Sequence, residues 1–397
     1  METIHVSNLF TSAHEDMRRG IKKFVDQELN PHADEWEAAG AAPLPSIFAR
    51  AGELGLLGIN KPVEFGGLGL DFSYVMVAAE ELGHAHSPSI PFAIGAHLSA
   101  IPALTAHGSD ALRNEFLVPA ISGEAVASIG VSESGAGSDV SAIKTTARKD
   151  GGDYVINGAK MWITNSTHAR WISLLVNTSE EGGPYRNKSL ILVPMDTRGV
   201  SVGKPLHKLG MHCSDTAPVF FDEVRVPQRH LIGEEGKGFI YQMEQFQHER
   251  LWACLRSISA LEDAIALTVD YTSERRTFGK PLIENQALYH RLADYLSQIE
   301  AVRSIAYRAG EALVSELDVT RLVSMAKYLV GKLALEVPSG CAQYFGGQGY
   351  MWENRITRML RDLRIVAVGG GANEIMLDVI AKEMGWIGKR SRQRGSN

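Results

Sequence analysis

From about Thr11 to Gly123 apolar residues recur at intervals of three and four, the spacing that lets a helix bury one face. The breaks fall at Ala42-Pro43-Leu44-Pro45 and Gly66-Gly67-Leu68-Gly69, where proline and glycine punctuate the pattern. Asp71 stands just before a periodic run through Val75, Val77, Ala78 and Leu82, with Gly83 behind it. An aspartate there accepts a bond from the first free N–H groups, so a capped helix is predicted. Between Ala125 and Gly233 the period shortens. Tyr154-Val155-Ile156, Trp171 to Val176, Leu190 to Val193 and Val219-Phe220-Phe221 are β-branched and aromatic runs, separated by Gly151-Gly152, Asn157-Gly158 and Gly182-Gly183-Pro184. They predict a small antiparallel β domain. From Gly236 the helical period returns in long pieces, interrupted near Thr277-Phe278-Gly279-Lys280-Pro281 and Phe345-Gly346-Gly347-Gln348-Gly349.

The order helices, strands, helices divides the chain into an amino-terminal helical domain (1–124), a middle β domain (125–235) and a carboxy-terminal helical domain (236–397). Such segregation defines an α+β protein and excludes a doubly wound parallel sheet, which needs strand and helix to alternate. No internal repeat or low-complexity segment stands out, and the polar tail from Lys389 to Asn397 is expected to fray.

Composition narrows the function. With 397 residues and 45% apolar content the chain buries a large core and exceeds one domain. Its 40 basic residues are scattered among 46 acidic ones, which argues against nucleic acid as a partner. No apolar stretch is read as reaching the ~18–20 residues of a membrane span, and the amino terminus lacks the apolar centre of a secretory signal. Cys213, Cys254 and Cys341 are too few and too dispersed for a disulfide framework or thiolate metal site, so a reducing compartment is expected: a bacterial cytoplasm or, for a mature protein, the mitochondrial matrix. His84 and His86 lack metal-ligand spacing and read as surface or capping residues.

Four segments carry candidate chemistry. Ser132-Glu133-Ser134-Gly135-Ala136-Gly137-Ser138-Asp139 is a small-residue loop between strand-like runs. Val140 stands where a dinucleotide fingerprint needs its third glycine, so that reading fails; a tight turn and a phosphate-contacting loop both remain open. Lys160-Met161-Trp162-Ile163-Thr164-Asn165 ends a strand with an aromatic beside a hydroxyl residue, which suits either ordinary packing or the wall of a flat cofactor. In Gln247-His248-Glu249-Arg250-Leu251, Arg250 projects from the middle of a helical apolar face marked by Phe239, Met243, Phe246, Ala253, Ser257 and Leu261, and Glu249 from its flank. An interhelical ion pair is the plain alternative to a functional role. Gly369-Gly370-Gly371-Ala372-Asn373-Glu374 precedes a helix and allows close approach of another molecule to its backbone, or is a loose linker.

These segments occur together with VSESGAGSDV, NGAKMWITN, ERRTFGKPL, QYFGGQGY and RDLRI in one order, and along nearly its whole length the chain resembles the acyl-CoA dehydrogenase family of flavoproteins. The resemblance implies a helical, a β and a four-helix domain, FAD held between the last two and across a subunit contact, and a homotetramer. By matching positions it implies that Ile129, Val131, Ser132, Gly137 and Ser138 lie along the flavin and its pyrophosphate, with Trp162 and Thr164 against the ring. Arg275, Thr277, Phe278, Gln286, Gln343 and Gly347 would reach a neighbour's FAD, and Ala372, Asn373 and Glu374 would complete the site. Ser138, Arg250, Gly370 and Gly371 would contact the substrate.

In many members of the family the catalytic base precedes the glycine of the last motif; here that position is Gly370. A second group, including isovaleryl-CoA and long-chain acyl-CoA dehydrogenases, carries it on the helix opening the carboxy-terminal domain, immediately before an arginine, where this chain has Glu249-Arg250. The implied reaction is oxidation of an acyl-CoA to its 2,3-enoyl-CoA. Glu249 acts as base, the Gly370 N–H supports the thioester oxygen, and electrons pass to an electron-transfer flavoprotein. The three glycines leave room for a medium or long chain or a 3-methyl branch. Ile129 and Gln247 depart from residues frequent in relatives, and Trp252 is placed to narrow the pocket. A flavin monooxygenase of the same fold and a non-catalytic acyl-CoA-binding relative are the competing classes.

Overall fold

The computed structural model describes residues 9–387; the polar tail from Lys389 lies outside the described residues. Eight helices come first: α1 (Ser12–Phe24), α2 (Ala33–Ala39), α3 (Leu44–Glu53), α4 (Phe72–Gly83), α5 (Ser89–Ala100), α6 (Pro102–His107) and the short α7 (Asp110–Leu112) and α8 (Val118–Ile121). As its spacing predicts, α4 starts after Asp71, whose side chain accepts from the Ser73 N–H. His84 follows the last turn of α4 and its Nδ1 lies 2.9 Å from Asp263, so it links the end of α4 to the helix that bears Asp263.

The middle of the chain forms one eight-stranded sheet: β1 (Ala127–Gly130), β2 (Thr146–Asp150), β3 (Asp153–Thr164), β4 (Trp171–Asn177), β5 (Lys188–Pro194), β6 (Val200–Val202), β7 (Thr216–Pro227) and β8 (Leu231–Ile232). Two details depart from the sequence expectation. The sheet is not wholly antiparallel, because β1 and β2 both run parallel to β4. They share one edge of β4 in succession, β1 against Trp171 to Leu174 and β2 at Asn177, so the chain between them leaves the sheet and returns. That ejected stretch is the small-residue loop. Nor is Asn157-Gly158 a turn between strands: β3 continues through it with a register slip against β7. Gly158 is required there by crowding, since a Cβ would lie 2.6 Å from Thr145 Oγ1.

The remaining chain forms α9 (Gly238–Glu274), a hairpin of β9 (Arg276–Thr277) and β10 (Lys280–Pro281), then α10 (Gln286–Val314), α11 (Thr320–Tyr344), α12 (Arg355–Asp362) and α13 (Asn373–Glu383). The long helices α9, α10 and α11 pack on one another, and α13 lies against α11. One apolar core runs through both helical regions, joining Phe24, Phe48, Met76 and Leu82 to Leu255, Ile258, Leu261 and Val330. A second joins helices α6 to α8 to the sheet, and a third lies within the sheet.

A further correction concerns hydropathy. Ser89–His107, spanning α5 and α6, is 19 residues long with mean hydropathy 1.3, enough by length and composition for a membrane span. Most of it is buried inside the protein, where α5 packs on β1 and on α9. A core helix enclosed on several sides reads as apolar all round for the same reason a lipid-facing one does.

Candidate active site

The ejected loop is anchored to β3 by a buried ion pair. Glu133 takes the Lys160 ammonium at 2.9 Å, the Lys144 and Thr145 N–H groups at 2.7 and 3.0 Å, and the Thr145 hydroxyl at 2.6 Å. Burial would raise the Glu133 pKa, yet Lys160 and these donors outweigh it and hold the carboxyl below its ordinary value. Lys160 also donates to the Val131 carbonyl at 3.0 Å. The two motifs thus form one wall, sealed by a Met161 N–H to Ser132 carbonyl bond of 2.9 Å. Sequence reading passes over Glu133 and Lys160 as members of their motifs; the available signal was a lysine amid the apolar residues of a strand.

Within that wall a second register slip, between Lys160 and Ile163, places Trp162 at φ 61° with 55% of its surface exposed. A bulky residue in the left-handed region costs roughly 1–3 kcal/mol and persists only where its surroundings enforce it. Beyond it, the Thr164 carbonyl accepts from the Ser128 hydroxyl at 2.9 Å. Ile129 and Ser132 are half-buried, Val131 is buried, and Gly137 and Ser138 are exposed on the loop.

Helix α5 ties this wall to the next one. His97 accepts the Ala127 N–H on Nδ1 and lies 3.2 Å from the Ala120 carbonyl through Nε2. Burial pushes its pKa down to about 4, so it is neutral with its proton on Nε2. Asn165 donates to the Ala93 carbonyl at 2.9 Å. On the opposite side, α9 lies so close that a Cβ on Gly95 would stand 2.4 Å from Trp252 Nε1.

Glu249, Gly370 and Arg250 converge although 120 positions separate Arg250 from Gly370. A Cβ built on Gly370 would sit 3.3 Å from Glu249 Oε1. Gly370 has φ 67°, a conformation glycine adopts without strain, and its N–H has no acceptor among the described residues. Arg250 Nε donates to the Gly370 carbonyl at 2.9 Å, while Lys327 donates to the Gly371 and Val366 carbonyls. Arg250 is buried, with its guanidinium over the Phe246 ring at 5.6 Å. No ion pair of Glu249 or Arg250 occurs among the described residues, so the ion-pair alternative falls. Burial raises the Glu249 pKa above the usual carboxylate range, against the opposing fields of Arg250 and Lys327. Nearby Gln247 leaves its Oε1 buried without a partner.

Glu249 borders a small cavity lined also by Trp252, His248, Phe72, Leu98 and Lys61. His248 meets the Phe72 ring edge-on, and burial lowers its pKa to about 4. A pocket that is mostly apolar and is bordered by a carboxyl of raised pKa is a candidate site for acid–base chemistry.

A second group of residues singled out in the sequence lies elsewhere. Arg275, Phe278 and Gln286 are exposed about the β9–β10 hairpin, with Thr277 half-buried, and Gln343 and Gly347 are exposed at the end of α11. Tyr271 and Phe345 stack at 4.3 Å between centroids and bring these segments together. Arg275 is 26 residues beyond Glu249 along α9, about 39 Å at the helical rise. At the start of α13, Ala372 is half-buried, Asn373 buried and Glu374 exposed.

A helical region, a mixed sheet and a helical bundle thus surround a pocket bordered by a carboxyl of raised pKa. Three family models match: the N-terminal domain of acyl-CoA dehydrogenase over residues 11–124, the middle domain over 128–224 and the C-terminal domain over 236–385. The chain is 34% identical to the mitochondrial long-chain specific acyl-CoA dehydrogenase of Sus scrofa, over 96% of this chain and 88% of that protein. It is 36% identical to the cyclohexane-1-carbonyl-CoA dehydrogenase of Syntrophus aciditrophicus, over 92% and 94%. The crystal structure of an acyl-CoA dehydrogenase from Geobacillus kaustophilus superposes with TM-score 0.91 at 36% identity, covering 96% of this chain and all of that one. The chain belongs to the acyl-CoA dehydrogenase family, and it is an FAD-dependent oxidoreductase of that type. Its residues fit the cofactor: Trp162 offers a bare aromatic face beside the loop, and Asn373 Oδ1 is a buried acceptor lacking a donor.

Proposed function

We propose that the protein oxidises an acyl-CoA thioester to the 2,3-enoyl-CoA with Glu249 as the base, as in the subgroup that carries a glutamate before arginine on the first carboxy-terminal helix. The observation that carries this is the contact of Glu249 Oε1 with the space a Gly370 side chain would fill. Bound FAD supplies the hydride acceptor. Ile129, Val131, Ser132, Gly137, Ser138, Trp162 and Thr164 hold its flavin end, with Ala372, Asn373 and Glu374 closing the site. Glu249 takes the C2 proton. Its carboxylate makes no hydrogen bond among the described residues, so nothing must break before it accepts one. The Gly370 N–H, held ready because Arg250 grips the following peptide, donates to the thioester oxygen as it gains charge.

Arg275, Thr277, Phe278, Gln286, Gln343 and Gly347 serve the FAD of a neighbouring copy within a homotetramer. Their support is distance, since a group some 39 Å along α9 from Glu249 does not share one catalytic flavin with it. Reduced enzyme passes its electrons to an electron-transfer flavoprotein. The three consecutive glycines, which put no side chain beside the reacting carbons, favour acyl chains longer than butyryl, or branched at C3; each buried methylene adds up to ~0.8 kcal/mol.

The test is Glu249→Gln. The variant should retain FAD and bind thioester, yet reduce flavin ~10²–10⁴ times more slowly in anaerobic stopped flow; near-normal reduction refutes the assignment. A maximum at butyryl-CoA with 3-methyl-branched thioesters inert refutes the chain preference.

A further inference from the structure

Four lysines are buried among the described residues: Lys61, Lys160, Lys188 and Lys327. Three are saturated. Lys160 has Glu133 and the Val131 carbonyl, Lys188 the Pro184 carbonyl and Asn187, and Lys327 the carbonyls of Val366 and Gly371. Lys61 differs. It is only 6% exposed and lines the cavity that Glu249 borders, but its ammonium meets no hydrogen-bond or ion-pair partner among the described residues. Nothing in the protein opposes the effect of burial, which lowers its pKa to about 8 and leaves it mostly charged at neutral pH.

The position is built rather than incidental. The Lys61 N–H donates to the Gly58 carbonyl at 3.1 Å and its own carbonyl accepts from Gly69 at 2.9 Å. The titratable groups that feel its charge from α5 and α9, His97 and His248, are both held neutral by burial and so supply no anion. Asn60 and Ser99 line the same cavity and add polar groups to an otherwise apolar surface. An ammonium held in a largely desolvated position without a counter-ion is unfavourable, and an anion entering the cavity would relieve it. The cavity is where an acyl chain reacting at Glu249 must lie.

We infer that the natural acyl group carries a carboxylate remote from the thioester, and that Lys61, with Asn60 beside it, binds that carboxylate at the far end of the chain. The inference rests on the acyl-CoA dehydrogenase reading and narrows its substrate class to ω-carboxyacyl-CoA. Lys61 is a specificity-determining residue and takes no part in the proton or hydride transfer.

The experiment compares CoA thioesters of six to ten carbons in two matched series, one ending in a carboxylate and one in a methyl group, by flavin reduction in the FAD-loaded enzyme. A charge-assisted hydrogen bond of about 1.5–3 kcal/mol corresponds to roughly a 10- to 150-fold preference in kcat/KM for the carboxylate series. Lys61→Met should abolish that preference, raise kcat/KM for the methyl series and raise the thermal stability of the unliganded enzyme, because an unpaired charge is gone. Lys61→Arg should keep the preference for carboxylate. A wild-type enzyme that prefers the methyl series, or a Lys61→Met variant that changes both series alike, overturns the inference while leaving the dehydrogenase reading intact. If neither series reduces the flavin, the dehydrogenase reading falls, and this inference with it.

Discussion

Glu133→Gln tests whether the buried pair with Lys160 holds the small-residue loop on β3. The wild-type carboxylate accepts four bonds, from Lys160, from Thr145 twice and from Lys144. Glutamine retains one oxygen and turns an NH₂ toward donors, and the Lys160 side chain, with 0% exposure, keeps only the Val131 carbonyl. Removing one partner of a buried pair costs about 3–5 kcal/mol, most of it the uncompensated charge. Lys160→Met in the same chain removes that charge. The double variant should therefore be more stable than Glu133→Gln alone, with a coupling energy of about 2 kcal/mol or more. Urea unfolding at fixed FAD concentration, followed by tryptophan fluorescence of the sheet, measures both quantities. FAD retention on gel filtration should fall in the single variant. Because the folded-state pKa of Glu133 is depressed, its contribution is present above the ordinary carboxylate pKa and is lost as pH falls through the lowered value. The wild-type advantage over Glu133→Gln should shrink there. A loss below about 1 kcal/mol, or strictly additive variants, refutes the reasoning.

Arg250→Ala frees the Gly370 carbonyl from its 2.9 Å bond and should lower the rate of flavin reduction more than FAD affinity, as stopped-flow and cofactor titration together will establish. Gly95→Ala sets a methyl 2.4 Å from Trp252 Nε1; overpacking of about 1–3 kcal/mol should appear in thermal melts, with the longest thioesters most impaired. Trp162→Gly relieves a left-handed backbone at φ 61° on a half-exposed residue, so stability without cofactor should hold or rise while FAD affinity drops; loss of both is the contrary result. Asp362 is buried, shares its surroundings with Glu37 and has its pKa raised to about 7. Its contribution is full below the ordinary carboxylate pKa and lost as pH rises through 7, so Asp362→Asn, which keeps an acceptor for the Met211 N–H, should exceed wild type in stability above pH 7 and flatten that slope.

Much of the architecture is legible in the chain because period and punctuation are local properties. The capped start of α4 at Asp71, the strand runs at Trp171 and Leu190 and the long helix bearing Glu249 and Arg250 each follow from residues a few positions apart. The existence of the small-residue loop is legible as well, since strand-like runs flank it, but its ejection between two strands parallel to β4 is not. What lay beyond local pattern was pairing. Nothing in the run Tyr154 to Thr164 tells that β3 passes through Asn157-Gly158, where the close approach of Thr145, just before β2, leaves room only for glycine. The parallel placement of β1 and the enclosure of Ser89–His107 likewise depend on surfaces supplied by distant segments.

The sequence by itself determined the order of elements, the family and the residue types available for chemistry, because these reside in spacing and composition. Only the tertiary structure decided which of those residues meet. It brought Glu249 to the gap left by Gly370 and gave Arg250 a backbone carbonyl in place of an ion-pair partner. It set Arg275 about 39 Å along α9 from Glu249. It also placed Lys61, which no motif marks, at the cavity wall with no ion-pair partner among the described residues. Burial and the absence of a partner are properties of three-dimensional neighbourhoods, and a single lysine in a sequence carries no trace of either.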